Sequence, residues 1–290
     1  MKVTGFTCIR NAILLDYPIV EAITSVLPIC DDFVVAVGKS EDDTLELVKS
    51  IAPEKIKVIE TVWDDSLREG GKVLAVETNK AFQAVPDDTD WAFYIQGDEV
   101  VHEKYQDTIY SAMQKWRDDK QIDAFLFNYL HFYGSYDYVG KSYRWYRREM
   151  RVIRNDKSIY SYKDAQSFRK GNREKLNVKY LDAYIYHYGW VKHPEAMQRK
   201  RENTLKFWHD DDWMNKNIYK AEEFDFSQVD ALNRFEGTHP KVMQKRIQNR
   251  NWKFDYDLSY NRLSVKDRFK TVVQKLTGYH VGEFKNFKII

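Results

Sequence analysis

The sequence predicts an α/β protein with a mixed, mainly parallel sheet flanked by helices and a helical C-terminal extension. Three observations lead there. Short apolar, β-branched runs alternate with amphipathic segments through the first third of the chain, the pattern of successive βαβ units. The middle turns to aromatic runs without a helical period, which read as mixed or antiparallel strands. Residues 241–290 are strongly basic and return to helical spacing.

Taken in order, residues 3–9 form a buried strand and 17–26 a short helix. "FVVAV" (33–37) is the second strand, and 43–51 the helix after it, with Ser40 and Asp43 spaced as a capping box and Asp42 in the positive first turn. "IKVIE" (56–60) is the third strand. Residues 67–85 form a longer helix with Gly70 and Gly71 in its first turn, and 91–95 the fourth strand. "DAFLFNYLHFYGSYDY", "YRREMRVIRN" and "NVKYLDAYIYHYGW" supply the aromatic strands. Helical patterns then cover 194–208, 240–248 and 264–276. In the last, Ser264 and Asp267 are placed as a capping box, and Val265, Phe269, Val272, Val273 and Leu276 make the apolar stripe. Two readings of that stripe stand: it packs on the body, or it rests on anionic lipid. With no internal repeat or low-complexity linker, one continuous domain is expected.

Composition bounds the setting. Among 290 residues, 43% hydrophobic content is ample for a core and 31% charge suits a protein in water. The net charge of +2 conceals an asymmetry: residues 1–120 hold 13 Lys/Arg against 23 Asp/Glu, whereas 241–290 hold 12 against 4. An acidic body with a basic tail points to an anionic surface, most simply a membrane, and no nucleic-acid partner is expected. The 20 Tyr and 8 Trp suit sugar rings as well as half-buried strands. Cys8 and Cys30 lack the spacing of a disulfide framework or a zinc site. The chain enters a strand pattern at once, without a signal-peptide pattern, and no apolar run approaches the roughly 18 residues of a membrane span. A cytoplasmic location is expected.

In parallel α/β sheets, ligands bind beyond the carboxyl ends of the strands. Thr7, Arg10 and Asn11, Gly38 to Ser40, and Gln96 to Glu99 fall at or near such ends. The stretch "WAFYIQGDEVVHE" is the most informative, because a turn needs no second adjacent carboxylate. Asp98 with Glu99 beside it is able to supply the protein side of a Mg²⁺ or Mn²⁺ shell shared with substrate phosphates. Capping of a helix starting near Glu103 explains the same residues. In "WDDSLREGGK", Arg68 and Lys72 flank two glycines at a helix start, an arrangement suited to a diphosphate, though without P-loop spacing.

The order "FTCIRN", "VVAVGKSEDDTLELVKS", "ETNKAF", "WAFYIQGDEVVHE" resembles the GT-A fold of family 2 glycosyltransferases over roughly residues 1–105. By that resemblance Asn11 matches the Asn after the first strand. Ser40, Asp42 and Thr44 match the turn after the second, Asn79 the helix Asn, and Asp98 the second Asp of the Asp-X-Asp metal motif. Val37 and Gly38 stand where the family has paired Asp, and Gln96 stands where it has the first Asp of the metal motif. The Gln-Gly-Asp-Glu form is similar to that of bacterial cell-surface polysaccharide glycosyltransferases; there Gln96 is placed to meet ribose and Glu99 to restore the missing charge. The resemblance implies a nucleotide-diphosphate sugar donor, a glycan or lipid-linked acceptor, Mn²⁺ or Mg²⁺, and inversion at the anomeric carbon. It divides the domain into a nucleotide-sugar half (1–105), an acceptor half (106–239) and the basic extension (240–290).

In the second half the resemblance implies that Asp164, in "SIYSYKDAQSFRKGN", deprotonates the acceptor hydroxyl, and that His187 near the end of "DAYIYHYGW" meets metal or diphosphate. A loop Asp and a packing His are the plain alternatives. "FWHDDDW" (207–213) reads as a solvated loop, with metal binding as its alternative. Two rival functions remain. A sugar nucleotidyltransferase calls for a Gly-rich basic loop after the first strand, which "CIRNAILLDYP" is not. A non-catalytic sugar- or lipid-surface-binding protein is the other, supported by the residues at Gly38 and Gln96.

Overall fold

The computed structural model describes residues 1–217, 221–260, 262–277, 280–282 and 285–290. The N-terminal part runs β1 (Val3–Ile9), α1 (Ile19–Val26), β2 (Asp32–Gly38), α2 (Thr44–Ile51), β3 (Ile56–Thr61), α3 (Lys72–Gln83) and β4 (Trp91–Tyr94). Strand β5 (Glu99–Val101) and α4 (Gln106–Lys115) follow, then β6 (Ala124–Tyr133), β7 (Tyr138–Gly140), β8 (Arg148–Arg154), β9 (Ile159–Tyr162), β10 (Ser167–Lys170) and the long β11 (Leu176–Trp190). The remainder is α5 (Pro194–Leu205), α6 (Asp211–Asn217), β12 (Leu232–Arg234), α7 (Gln244–Gln248), α8 (Val265–Thr277) and β13 (Phe287–Ile289).

Strands β3, β2, β1 and β4 lie side by side and parallel, as the alternating pattern requires. Beyond β4 the sheet becomes mixed: β8 pairs antiparallel with both β4 and β6, while β11 runs parallel to β6 and antiparallel to β5. Strand alternation sends Val35, Phe93, Phe127 and Val152 to one face, where α1, α2 and α4 cover them. Val34, Ala92, Leu126 and Ile153 go to the other, beneath α3 and the β9–β10 hairpin. The expected α/β sheet between helical layers is what forms.

Three local readings change. Helix α3 starts at Lys72, because Gly70 (φ 58°) and Gly71 (φ 70°) are left-handed and a right-handed helix cannot include them. The Ser40–Asp43 box does not form: Asp42 accepts from Thr44 N at 3.0 Å, while Ser40 Oγ turns back to Gly38 O. Of the Ser264–Asp267 box, the bond from Asp267 N to Ser264 Oγ forms at 3.1 Å, and Ser264 Oγ itself donates to the Asp267 carboxylate at 2.8 Å. The chain end also adds strand β13 against β11, a pairing the sequence pattern does not announce.

The second carboxylate of the opening motif belongs to the core. Glu99 and Arg151 are both fully buried, joined by two bonds of 2.7 Å, and Tyr129 Oη donates to Glu99 at 2.8 Å. Glu99 therefore neither faces a ligand nor restores charge to a metal site. Nor does it or Asp98 cap the next helix, since His102 Nδ1 accepts from Lys104 N there. Breaking a buried pair leaves one charge uncompensated, so Arg151→Met is expected to cost about 3–5 kcal/mol in urea unfolding. Adding Glu99→Gln should recover part of that loss; strictly additive losses would remove the pairing account.

Candidate active site

Beyond the carboxyl ends of β1 and β4 lies a cleft of about 510 Å³. The sheet supplies Arg10 and Asn11 after β1 and Gln96, Gly97 and Asp98 after β4. Asp164 and Gln166 come from the β9–β10 turn, His187 from β11 and Lys200 from α5. Arg68, Trp63 and Trp208 close one side. The side chains arrive together because a parallel sheet ends its strands on one edge, while β11 crosses back beside them.

Asp98 is the buried anion of this cleft. Its carboxylate meets Lys200 Nζ at 2.9 Å and His187 Nε2 at 3.7 Å. Burial opposes its ionisation, but Lys200, His187 and Lys192 outweigh that and hold it well below the usual carboxylate range. Burial lowers the His187 imidazole below its ordinary value against the raising pull of Asp98, and it lowers the Lys192 ammonium to about 7. A Cβ at Gly189 would lie 2.7 Å from Asp98 Oδ2 and 2.9 Å from His187 Nε2, so only glycine leaves that space clear. One carboxylate and one imidazole beside that space would suit a divalent cation sharing its remaining positions with phosphate and water, provided it displaces the Lys200 ammonium, which donates to Asp98 Oδ2 at 2.9 Å and to Gly189 O at 3.0 Å. Among the described residues no group of three or more His, Cys, Asp or Glu surrounds a common point, so phosphate and water would complete such a shell.

Asp164 sits between two residues in the left-handed region, Lys163 (φ 57°) and Ala165 (φ 61°). Backbone outliers of this kind gather at functional turns. Gly71 makes room for it, since a Cβ there would lie 2.7 Å from that of Asp164.

The other predicted residues divide. Arg10 lines the cleft and pairs with Asp65 at 2.8 Å. Asn11 lines it too, though its Oδ1 is engaged by Glu41 N and its own N–H by Ser40 Oγ. Arg68 reaches the rim, where its guanidinium binds the carbonyls of Lys206 and His209 and the Asp211 carboxylate. Thr7, Gly38, Ser40, Lys72, Asn79 and Glu99 lie outside the lining. Thr7 is buried within β1, a Cβ on Gly38 would strike the Trp63 indole, and Lys72 is exposed at the start of α3. Ser40, Asp42 and Thr44 tie the turn after β2 to the segment after β1, and Asn79 pins α3 to Ser161 of β9. In "FWHDDDW", Asp210 caps α6 through Trp213 N, and His209 stacks on the Trp213 ring.

Sequence reasoning missed Lys200, Lys192 and Gln166. The two lysines stand among many polar residues around α5, and no spacing separates them from their neighbours.

No protein-family model matches the chain, and no curated protein matches it. Among solved structures, it is similar to S. aureus TarS 1–349 at 18% identity, covering 77% of this chain and 67% of that one with a TM-score of 0.42. The UDP complex of the same protein gives 17%, 77%, 68% and 0.41. The 4-diphosphocytidyl-2C-methyl-D-erythritol synthase of Anaerococcus prevotii DSM 20548 follows at 11% identity, 66% and 89% coverage and a TM-score of 0.37. Glucosyl-3-phosphoglycerate synthase from Mycobacterium tuberculosis, crystallised with Mn²⁺, UDP and phosphoglyceric acid, shares 14% identity over 45% of this chain and 43% of its own, with a TM-score of 0.31. The chain thus spans less than half of that synthase, and 41% of the longer TarS structure.

Glu149 of β8 lies beside the Asp164 turn and accepts from Gln166 Nε2 at 3.0 Å. Burial raises its carboxyl from 4.5 to about 8, against the lowering pull of Arg151. The folded state thus holds a proton that the unfolded chain releases near 4.5, and stability falls as pH rises from there to about 8. Glu149→Gln is permanently neutral, so its stability relative to wild type should rise between about pH 5 and about pH 8 in urea melts. Parallel pH profiles would contradict the buried neutral carboxyl.

Proposed function

We propose that this chain is a GT-A glycosyltransferase that moves a sugar, with inversion, from a nucleotide-diphosphate donor to a hydroxyl of a glycan or lipid-linked acceptor in bacterial surface polysaccharide synthesis. The observation that carries the reading is the meeting of Asp98, from the end of β4, and Asp164, from the β9–β10 turn, in one cleft beyond the strand ends. Asp98 and His187 are the groups that would hold Mn²⁺ or Mg²⁺, which when bound neutralises charge on the departing diphosphate. Lys200 and Arg10 add fixed positive charge along the same wall. Asp164 takes the proton of the acceptor hydroxyl as its oxygen bonds to the anomeric carbon. The carbon–oxygen bond to the diphosphate breaks, and its electron pair leaves with the nucleotide.

Asp164→Asn should lower transfer by about 100-fold or more while leaving nucleotide affinity nearly unchanged, as read by single-turnover rates and calorimetry. Equal loss of donor binding would make it a donor-site residue. A thermal-shift panel of nucleoside diphosphates with and without Mn²⁺ identifies the base. Nucleotide binding without transfer is the second reading, favoured by the Lys200 ammonium seated on Asp98 at 2.9 Å.

The location proposed is the cytoplasmic face of a membrane, through α8. Among the described residues no helix is long and apolar enough to cross one. Helix α8 turns its polar side inward: Gln274 accepts from Tyr143 Oη at 2.9 Å, and Lys270 lies over the Tyr143 ring. Val265 (85% exposed), Phe269 (66%), Val272 (53%) and Leu276 (81%) point out, with Lys266, Arg268 and Lys275 exposed beside them. That apolar ridge does not pack on the body. Its cationic flanks select an anionic lipid surface, where each is worth about 1 kcal/mol. Replacing Lys266 and Lys275 by Glu should weaken binding to phosphatidylserine vesicles without changing the melting temperature. Lipid-independent dimerisation through the ridge would overturn this placement.

A further inference from the structure

A second cavity, of about 640 Å³, opens next to the cleft, and Tyr146, Asp164 and Gln166 line both. It runs between β8, the 141–147 loop and the inner side of α8. Its cations include Lys141, Arg144, Arg148, Lys163 and Lys270, against the lining carboxyls Glu149 and Asp164. Several of these cations lie over aromatic rings of the same wall: Arg144 over Trp145 at 5.0 Å, Lys270 over Tyr143 at 4.9 Å and Lys163 over Tyr162 at 5.6 Å. The cations offer charge to a group that a sugar bears, and the ring faces and edges they leave uncovered offer it apolar contact. The wall also holds a polar atom without a partner. Ser142 is 7% exposed and its Oγ is unsatisfied among the described residues, whereas Trp145 Nε1 is packed against Gly140. A buried donor left unpaired costs stability, and a ligand that accepts from it recovers that cost.

We propose that this groove is the acceptor site and that it takes an anionic saccharide chain. Phosphate and carboxylate substituents both meet its chemistry. The acceptor role rests on the transferase reading, because it is Asp164 that joins the groove to the cleft. The anion preference stands on the groove itself. A nucleic acid is the less favoured occupant, since the whole chain carries a net charge of only +2 and residues 1–120 are acidic.

The test is direct binding in low salt, without donor, of four size-matched probes: a phosphorylated oligosaccharide, an oligogalacturonate, a neutral oligoglucoside and an oligothymidylate. At least one anionic saccharide should bind roughly tenfold or more tighter than the neutral one, and added salt should weaken it. Lys141 and Arg144 are exposed, so the double variant Lys141→Glu, Arg144→Glu should fold with an unchanged melting temperature. It should lose roughly tenfold or more of that affinity while nucleoside diphosphate binding in the first cleft stays unchanged. The relative strength of the phosphate and carboxylate arms names the substituent. Equal binding of the neutral probe, indifference to the double variant, or tightest binding of oligothymidylate overturns the proposal. Anionic saccharide binding that survives alongside no nucleotide binding keeps the groove and removes the transferase reading alone.

Discussion

The Arg151 guanidinium is the fixed point from which both walls of the cleft are hung. It binds both oxygens of Glu99, and Glu99 in turn accepts from Gln96 N at 3.1 Å, which fixes the turn that presents Asp98. The same guanidinium donates to Gln166 O at 3.1 Å, in the turn that carries Asp164. The Tyr94 and Tyr129 rings lie on it at 5.2 and 5.3 Å. Arg151, Glu99, Tyr94 and Tyr129 are buried, so the charge pair acts in a low dielectric, while the bond to half-buried Gln166 O reaches the rim of the cleft. A buried ion pair is a poor source of net stability, but it is directional. Its value here is that two turns from distant parts of the chain keep one geometry.

That arrangement explains why some of the site was legible and some was not. Asp98 was legible because a parallel strand ends beyond the sheet, and both the strand and its acid are contiguous in sequence. Glu99 was not: its neighbour in sequence faces the ligand side, and its partner is 52 positions away on a strand, REMRVIR, that carries three arginines and singles out none of them. The turn ends between them: Asp98 stays in the turn at the cleft, while Glu99 opens β5 and points into the core. Ser40, Asp42, Thr44 and Asn79 show a related effect. Their hydroxyl, carboxylate and amide groups suit a nucleotide as well as a neighbouring backbone, and the fold spends them on the joints β1–β2 and α3–β9. Residue type alone does not separate those uses.

The C-terminal part makes the same point in reverse. The spacing of α8 was plain in the sequence, and so was its capping box. Which side of the helix would face the body was not, because an apolar stripe ordinarily turns inward. Here Tyr143 fills the contact surface and calls for a hydrogen-bond acceptor and a cation, so Gln274 and Lys270 turn inward and the stripe is left outside. Part of the basic excess of residues 241–290 thus acquires a place: Lys266, Arg268 and Lys275 lie beside the outward apolar ridge of α8, and Lys270 on its inner side lines the groove.

Asp98 and Asp164 occupy one cleft under opposite constraints. Asp98 is deep, ionised and held by Lys200, so its charge is constant across the neutral range, as a phosphate- or cation-positioning group requires. Asp164 is less buried, stands on a turn forced into left-handed backbone on both sides, and borders both cavities. A group that must exchange a proton with an arriving hydroxyl needs access from the acceptor side and a fixed position toward the donor side. On the proposed function, the strained turn would supply the second and the basic aromatic groove the first. Sheet, hairpin and groove would then divide the chemistry spatially: fixed charge on the strand ends, proton transfer on the turn, and acceptor selection along the wall that α8 completes.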